Sequence, residues 1–226
     1  MKFINNSNDL SFYLEKKVIA NISIKHISID TRSLKKGSLF IAINGDNFNG
    51  NDFVEEAFKK GASLAIVDDK KYIGSKNKRI IYVKNTIMGL KKISKNIIKN
   101  YHGNVIAVTG SNGKTSTTNI ISNTLKNCSS TIGNFNNEIG MPISIMNAST
   151  TSSNIVIEIG ASQTGDINYL SKILKPCIGV ITNIGSSHLE KLKNINGVLN
   201  VKSELVNNIK KDGSLIVPDE NEEHLR

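Results

Sequence analysis

Residues 110–115 have the side chains and glycines needed to bind a phosphate group. They follow an apolar strand pattern at 105–108 and precede a helical pattern, so backbone N–H groups can curl around an anion there. The helix N-terminus adds the positive end of its dipole. Lys114 has the reach to contact β- and γ-phosphate oxygens, and the Thr115 hydroxyl suits Mg²⁺. We therefore predict a nucleotide site that comprises Gly110, Ser111, Asn112, Gly113, Lys114, Thr115 and Ser116.

The spacing of this phosphate loop (residues 110–115) departs from the commonest phosphate-binding pattern. That pattern has four residues between its first glycine and the Gly-Lys pair, whereas only Ser111 and Asn112 intervene here. The alternative is an ordinary strand–turn–helix corner with a chance lysine. Because strand, glycines, Lys-Thr and helix occur in the order that phosphate binding needs, the pattern favours a nucleotide site.

Two further polar residues follow buried strand patterns. Glu158 lies near the carboxyl end of the apolar segment 155–159, where a carboxylate is costly unless a cation such as Mg²⁺ neutralises it. His188 follows the strand pattern at 178–182. The alternatives are a glutamate at a surface edge and a histidine that is an ordinary core or surface residue. Three strand ends that meet at one edge of a sheet favour a shared nucleotide and metal site.

The second half of the chain alternates strands with helices. The predicted strands are 105–108, 155–159, 178–182 and 215–217. The predicted helices are 114–126, 166–174 and 197–209. Strands that are apolar on both faces and separated by helices predict a parallel sheet covered on both sides. In such sheets ligands bind beyond the carboxyl ends of the strands.

The first half of the chain predicts a smaller α/β unit. Its predicted strands are 27–29, 39–43, 64–67 and 80–83, with a helix over 51–60. The helical pattern that follows has apolar residues on one face and lysines on the other, and we expect it to link two domains. We expect an N-terminal domain at 1–84, a linker helix at 85–103 and a central nucleotide-binding domain at 104–226. The predicted fold class is α/β, a small N-terminal α/β domain followed by a mostly parallel sheet of the phosphate-loop type flanked by helices.

Composition and charge limit the class of partner. The 226 residues include 29 Lys+Arg and 19 Asp+Glu, a formal net charge of +10. We expect no nucleic-acid partner, because the cations are scattered, all but three are lysine, and aromatics make up only 5%. No apolar run approaches ~18 residues and no secretory signal is visible, so we expect a cytoplasmic protein without a membrane span. Cys128 and Cys177 are expected to be free buried thiols.

Four motifs accompany the phosphate loop along nearly the whole chain. They are Ser28-Ile-Asp-Thr-Arg32 with the following Gly37-Ser-Leu-Phe40, Gly133-Asn-Phe-Asn-Asn-Glu-Ile-Gly-Met-Pro142, Glu158-Ile-Gly-Ala-Ser-Gln163, and Asn183-Ile-Gly185 with His188-Leu-Glu190. Together with the short Gly-x-x-Gly-Lys-Thr loop, these motifs resemble the Mur ligases, ATP-dependent amide-forming enzymes of peptidoglycan precursor synthesis. The resemblance is strongest to their MurF type.

The resemblance implies a ligase that adds D-alanyl-D-alanine to UDP-N-acetylmuramoyl-tripeptide. ATP would phosphorylate the terminal carboxylate of the tripeptide, and the dipeptide amine would displace phosphate from this acyl phosphate. The implied cofactors are ATP and two Mg²⁺ ions, and we expect a monomer. Such chemistry needs cationic groups that stabilise developing negative charge and a site that excludes water.

The resemblance also implies roles for individual residues. Lys114, Lys202 and His188 would be catalytic. Thr115 and Glu158 would hold one Mg²⁺, and His188 would help to hold a second. Lys202 matches a lysine that Mur ligases carry as a carbamate, an anion able to support magnesium, and CO₂ adds only to a neutral amine. Without the resemblance, the pattern favours an ordinary surface lysine on the predicted helix 197–209.

The substrate contacts implied by the resemblance lie in both halves of the chain. They are Thr31, Arg32, Asn136, Asn137 and Ser162. The guanidinium of Arg32 suits a diphosphate, but a buried structural pair with Asp30 is an equal alternative. The two asparagines also fit an ordinary turn.

Mur ligases have three domains and roughly twice this length. We therefore expect the chain to lack the C-terminal domain and to ligate weakly or not at all by itself. Two alternatives remain. One is another Mur-like ligase, of the MurE or folylpolyglutamate synthase type, which the segments 136–140 and 160–163 disfavour. The other is a nucleotide-binding or nucleic-acid-binding module without catalysis.

Overall fold

The computed structural model describes residues 1–18, 21–185 and 194–219. Its contacts divide the chain into two compact units, Met1–Ile97 and Ile98–Arg226. Each unit has its own sheet of parallel strands.

The first unit is built on a four-stranded sheet. Its helices are α1 (Ser7–Leu14), α2 (Val54–Lys59) and α3 (Thr86–Lys99), with short 3₁₀ turns at Gly50–Phe53 and Lys70–Tyr72. Its strands are β1 (His26–Ser28), β2 (Ser38–Ile41), β3 (Leu64–Val67) and β4 (Ile80–Tyr82), in the order β1-β2-β3-β4. All neighbours are parallel. Every residue of β2 and β3 is buried, which is the pattern of strands covered on both faces.

Helix α3 packs against the first unit. Leu90, Ile93 and Ile97 form its buried face, as expected for an amphipathic helix. The Asn96 side-chain amide donates to the Tyr13 carbonyl at 2.7 Å, which ties α3 to the end of α1. All but the last two residues of α3 therefore belong to this unit. The domain boundaries inferred from the sequence stay a prediction.

The second unit is built on a five-stranded sheet. Its strands are β5 (Asn104–Thr109), β6 (Cys128–Ser130), β7 (Asn154–Glu158), β8 (Ile178–Ile181) and β9 (Ser214–Ile216), in the order β6-β7-β5-β8-β9. Its helices are α4 (Lys114–Thr124), α5 (Gly140–Asn147), α6 (Asp166–Leu174) and α7 (Ile195–Ser203), followed by a 3₁₀ turn at Val206–Asn208. All strand pairs are parallel.

The register of this sheet brings three strand ends to one edge. Val108 of β5 is opposite Glu158 of β7, and Thr109 is opposite Ile181 of β8. The loops that leave β5, β7 and β8 therefore begin side by side. We call this edge of the second sheet the carboxyl edge.

The α/β fold class predicted from the sequence is confirmed. Three elements were not predicted. Helix α5 is buried from Gly140 to Met146, so it has no polar face to mark a helical period. Strand β6 has only three residues, and α1 is an eight-residue helix whose main signal is the Asn6–Asp9 capping box.

Several details of the sequence-based expectation are wrong. The predicted helix over 51–60 begins as the 3₁₀ turn Gly50–Phe53, and α2 covers only Val54–Lys59. Helix α4 ends at Thr124 rather than 126, and α7 ends at Ser203, where a 3₁₀ turn replaces the predicted helix to 209. Both cysteines are free but half-buried rather than buried. Within the described residues, every helix is too short or too polar to cross a bilayer.

Candidate nucleotide-binding and catalytic site

The phosphate loop depends on two glycines with positive φ. Gly110 has φ 150° and Gly113 has φ 77°. A Cβ on Gly110 would lie 1.9 Å from the Thr182 hydroxyl oxygen, so no larger residue fits against the end of β8. Gly113 is the N-cap of α4, and its conformation turns the chain into the helix.

The loop is held by the segment that follows β8. The Ser111 N–H donates to the Asn183 carbonyl at 3.1 Å, and the Asn112 N–H donates to Asn183 Oδ1 at 2.9 Å. Thr182 Oγ1 donates to the Asn112 carbonyl at 2.5 Å. The Ser111 hydroxyl exchanges hydrogen bonds with both backbone groups of Gly185 at 2.9 and 3.0 Å. Asn183 is thus a loop-shaping residue that was not assigned a role from the sequence.

This arrangement divides the five predicted nucleotide ligands other than the glycines into two groups. The N–H groups of Ser111 and Asn112 are engaged with Asn183, so these residues shape the loop. The first N–H groups of α4, at Lys114, Thr115 and Ser116, have no partner within the helix. They are the groups that an anion at the helix N-terminus would contact.

Lys114 folds back over the phosphate loop. Its Nζ donates to the carbonyls of Gly110 at 2.9 Å and Ser111 at 3.0 Å, and the side chain is half-buried. The ammonium therefore lies at the mouth of the loop, where it would face the negative charge of a bound phosphate.

Thr115 and Glu158 meet although they are far apart in the sequence. The Thr115 hydroxyl donates to Glu158 Oε2 at 2.7 Å, and the Asn136 amide donates to Oε1 at 2.7 Å. Glu158 is only 2% exposed, and no ion pair to it is found among the described residues. A buried carboxylate held by neutral donors alone, beside a hydroxyl oxygen, fits a divalent cation that prefers oxygen ligands.

Asn136 and Asn137 have different contacts. Besides its bond to Glu158, Asn136 accepts the Gly160 N–H at its carbonyl, at 2.8 Å. Asn137 Oδ1 accepts the N–H groups of Gly140 at 2.8 Å and Ile139 at 3.2 Å, so it caps the start of α5. The turn predicted as the alternative for this segment is thus present at Asn137, whereas Asn136 is part of the carboxylate site.

Lys202 is not a surface lysine. It lies in α7 and is 1% exposed. Burial, and then the nearby Lys114 cation, lower its pKa to about 8, while Asp166 and Glu204 oppose this shift. A lysine with such a pKa has a substantial neutral fraction near neutral pH, which is the form that can act as a nucleophile.

A pocket of about 480 Å³ opens beside these groups at the carboxyl edge. Its lining includes Lys114, Asn136, Asn137 and Ser162. All four were predicted from the sequence as catalytic or substrate-binding residues. The pocket also includes Glu138, Gln163, Asp166 and Tyr169, which were not.

The first unit has a separate pocket of about 470 Å³ at Thr31 and Arg32. Arg32 makes a bidentate pair with Asp30, with N–O distances of 2.7 to 3.0 Å. The predicted alternative of such a pair is therefore present, but Arg32 is 88% exposed rather than buried. Its bonds lower the pKa of Asp30 to about 2. Phe48 and Phe53 line the same pocket with partly exposed rings.

His188 lies outside the described residues. Within the described part of the chain, no group of three or more His, Cys, Asp or Glu side chains forms a ready metal cage. Of the four residues predicted to hold metal, the structure describes Thr115, Glu158 and Lys202, and it brings the first two within hydrogen-bond distance.

Comparison with known proteins gives two family matches. The Mur ligase middle domain matches residues 108–226, and the catalytic domain of the Mur ligase family matches residues 23–124. The first match alone covers more than half of the chain.

Curated relatives point in the same direction. A UDP-N-acetylmuramoyl-tripeptide--D-alanyl-D-alanine ligase of Buchnera aphidicola is 37% identical over 96% of this chain and 47% of that protein. The protein of that name from Bacillus subtilis is 37% identical over 85% of this chain and 43% of its own length. The chain spans about half the length of the curated relatives it matches.

Two solved structures are similar in fold. MurF from Acinetobacter baumannii has a TM-score of 0.80 at 30% identity, over 93% of this chain and 48% of that one. MurF from Thermotoga maritima, in complex with ADP, has a TM-score of 0.74 at 34% identity, over 85% of this chain and 45% of that one. The match of the Mur ligase middle domain over more than half of the sequence shows that the chain belongs to the Mur ligase family.

Proposed function

We propose that the protein takes part in peptidoglycan precursor synthesis as the ligase that joins D-alanyl-D-alanine to UDP-N-acetylmuramoyl-tripeptide. The observation that carries the proposal is that Thr115 and Asn136 both donate to the buried Glu158, while Asn136 and Lys114 line one pocket at the carboxyl edge. The curated relatives named for this reaction support it. The cytoplasm is the proposed location, and the monomer is the proposed state.

ATP is the proposed phosphate donor. The N-terminal amides of α4 and the Lys114 ammonium would balance the charge of its phosphates. The ADP complex of the related MurF from Thermotoga maritima supports an adenine nucleotide as ligand. Thr115 and Glu158 would hold Mg²⁺, which neutralises phosphate charge when bound. His188 is the proposed ligand of a second ion.

The pocket beside the phosphate loop is the proposed site of the tripeptide carboxylate. Phosphorylation of that carboxylate gives an acyl phosphate, and attack by the amine of D-alanyl-D-alanine then releases phosphate. Lys114 would stabilise the negative charge that develops in both steps. Asn136 and Ser162, which line the pocket, would orient the carboxylate by hydrogen bonding.

Lys202 is the proposed site of carbamylation. Its neutral amine would add to CO₂ with loss of a proton and become an anion. The pKa of about 8 leaves part of this lysine neutral near pH 7.5. Carbamylation would replace the repulsion between the buried Lys202 and the half-buried Lys114 with an attraction.

The pocket of the first unit is the proposed site of the UDP portion. The partly exposed rings of Phe48 and Phe53 offer a planar apolar surface of the kind that a base stacks on. Arg32, although paired with Asp30, keeps an exposed guanidinium that can turn to a diphosphate.

The proposal is tested first by nucleotide binding. We expect the 226-residue protein to bind ATP in a Mg²⁺-dependent manner, and Lys114→Ala to weaken this binding about tenfold or more, because it removes a charge-assisted contact. Isothermal titration calorimetry measures both, with the exposed Lys172→Ala as the matched control. Equal ATP affinity in Lys114→Ala and Lys172→Ala would contradict the proposed site.

Ligation is tested by phosphate release that depends on all three substrates. We expect phosphate release only when ATP, UDP-N-acetylmuramoyl-tripeptide and D-alanyl-D-alanine are all present. Adding D-alanyl-D-alanine should increase any release, since the dipeptide is the proposed acceptor. Release that is unaffected by the dipeptide, together with DNA binding that survives Lys114→Ala, would favour a nucleic-acid-binding module instead.

A further inference from the structure

Glu204 makes an unusual pair of contacts with a neighbouring helix. It follows directly on α7 and is half-buried. Its Oε1 accepts the Gly165 N–H at 2.7 Å, and its Oε2 accepts the Asn168 N–H at 2.9 Å. Both carboxylate oxygens are thus used to hold backbone amides of another element.

These two amides lie at the N-terminus of α6. Gly165 is the N-cap of that helix, with φ 95°, and it has no side chain to satisfy the helix's first N–H groups. Glu204 supplies the missing acceptor from α7, and its negative charge interacts favourably with the positive end of the α6 dipole. Contacts of an anionic acceptor with N–H groups are among the stronger hydrogen bonds.

The segment that Glu204 anchors is a wall of the pocket at the carboxyl edge. Gly160, Ala161, Ser162, Gln163 and Asp166 all line that pocket. Asp166 Oδ2 accepts the N–H groups of Ser162 at 2.8 Å and Gln163 at 3.1 Å, which closes the turn from inside. Glu204 holds the outer end of the same turn at Gly165. We call residues 160–166 the pocket wall.

Glu204 also lies two residues after the buried Lys202. The same short segment therefore places the lysine and anchors the pocket wall. A shift of α7 would move both together.

We propose that Glu204 is a positioning residue that sets the affinity of the pocket for the peptide part of the substrate. This inference rests on the proposed function, because it takes the tripeptide end of UDP-N-acetylmuramoyl-tripeptide as the occupant of the pocket. Glu204 acts through the pocket wall and leaves the phosphate loop, which is held by Asn183 and Gly185, unchanged.

Asn208 provides a matched control. Its amide donates to Asn168 Oδ1 at 2.9 Å and Ser171 Oγ at 3.0 Å, so it joins the same two parts of the fold as Glu204 does. Both of these hydrogen bonds go to residues outside the pocket wall. Asn208→Ala should therefore loosen α6 against the segment after α7 without changing the pocket.

The experiment compares binding of UDP-N-acetylmuramoyl-tripeptide, UDP-N-acetylmuramic acid and ATP by calorimetry. The ratio of the affinity for UDP-N-acetylmuramoyl-tripeptide to the affinity for UDP-N-acetylmuramic acid measures what the peptide contributes to binding. We expect Glu204→Ala to reduce this ratio about tenfold, and Glu204→Gln, which keeps one acceptor oxygen, to reduce it about threefold. Asn208→Ala should leave the ratio unchanged, and ATP affinity should stay within about twofold in all three variants.

Different outcomes separate the inference from the proposed function. If the unmodified protein binds UDP-N-acetylmuramoyl-tripeptide no better than UDP-N-acetylmuramic acid, the peptide does not occupy the pocket, and both fail. If the peptide contributes but Glu204→Ala keeps that contribution, or loses no more than Asn208→Ala, only the inference is overturned. Circular dichroism checks folding, and if Glu204→Ala does not fold, the Glu204→Gln ratio decides by the same criteria.

Discussion

Glu158 illustrates how a buried charge can be kept without an ionic partner. Its two oxygens are held by the hydroxyl of Thr115 and the amide of Asn136, and its backbone N–H donates to Thr131 Oγ1 at 2.7 Å. These donors satisfy the hydrogen-bonding needs of the carboxylate but do not neutralise it, so part of the cost of its burial remains. A bound cation would remove that cost.

Replacing Glu158 by glutamine tests the role of its charge separately from the role of its size. Glu158→Gln keeps the size of the side chain and removes the buried charge, so we expect the free energy of unfolding to stay within about 1 kcal/mol of the unmodified protein. We expect Mg²⁺ to improve ATP affinity at least about tenfold in the unmodified protein and not in the variant. Titrations of ATP with Mg²⁺ and with a chelator measure this difference, and an equal effect of Mg²⁺ in both would exclude Glu158 as a ligand.

Lys202 gives the stability of the protein a defined pH dependence. Its pKa falls from 10.5 to about 8 on folding, so between these values the unfolded chain binds a proton that the folded chain does not. The free energy of unfolding therefore rises with pH across this window, and the full cost of the buried cation is present below pH 8. That cost is roughly 3 kcal/mol at most.

Lys202→Met should remove this cost, because methionine has a similar volume and no charge. We expect the variant to be more stable than the unmodified protein at pH 7, with a difference that shrinks as the pH approaches 10. Urea denaturation without ATP, Mg²⁺ or added CO₂ measures both proteins. A difference that is constant from pH 7 to pH 10 would contradict the lowered pKa.

At the scale of elements, the carboxyl edge depends on close contact between the phosphate loop and the end of β8. Thr182 illustrates this contact, since its hydroxyl bonds to Asn112 and also occupies the space beside Gly110. The threonine cannot move aside without losing its hydrogen bond. Gly110 is therefore fixed both by its φ and by its neighbour.

Gly110→Ala should be among the most damaging single changes in the second unit. The added Cβ meets Thr182 Oγ1 at 1.9 Å in a backbone conformation that alanine rarely adopts. We expect a loss of about 2–4 kcal/mol in the free energy of unfolding, together with loss of ATP binding. Gly133→Ala is the control, because Gly133 also has positive φ but nothing lies within 4 Å of its Cβ position.

For Gly133→Ala we expect a loss of about 1 kcal/mol and unchanged ATP affinity, since only the backbone conformation is strained. Urea denaturation and calorimetry measure both variants. Equal losses in Gly110→Ala and Gly133→Ala would mean that the contact with Thr182 contributes little.

Elements were predicted well from the sequence where the apolar residues recur at one clear spacing and a glycine or proline marks the end of the segment. Helix α6 has a polar and a buried face, begins after Gly165, and was predicted with its observed bounds. The buried strands β3, β5 and β7 were recognised from short apolar runs. Helix α5 was missed because it is buried throughout, and no local pattern distinguishes such a helix from a loop or a strand.

Site residues could be predicted only where the residue type and its neighbours in the sequence are typical of one kind of chemistry. Lys114 and Thr115 stand in a loop whose order of residues implies phosphate. The burial of Lys202 and the bonds of Asn183 to the phosphate loop depend on elements that meet only in the folded chain. No short segment of sequence carries that information.

At the scale of the whole molecule, each of the two units has its own sheet and its own core. Phe40, Val54, Ala57 and Ala65 belong to the core of the first unit, and Ile106, Val108, Val156 and Val180 to that of the second. A unit with a core of this kind is expected to fold by itself.

We therefore expect a fragment of residues 1–101 to unfold cooperatively. It contains all four strands of the first sheet and the whole of α3, which packs on that unit. Urea denaturation followed by circular dichroism measures the transition, and the Leu90→Ala variant of the fragment should lower its midpoint because Leu90 is buried. A fragment that shows no cooperative transition would mean that the first sheet needs the rest of the chain.

The order of strands in the second sheet sets when during synthesis the phosphate loop can take its shape. β5 lies at the centre, and its neighbours β7 and β8 end at residues 158 and 181. The phosphate loop also needs Asn183 and Gly185, because these residues make the hydrogen bonds that hold Ser111 and Asn112. A ribosome must therefore make more than seventy further residues after Gly110 before the phosphate loop of the nascent chain can take this shape, so the proposed nucleotide could not assist the earliest stages of folding.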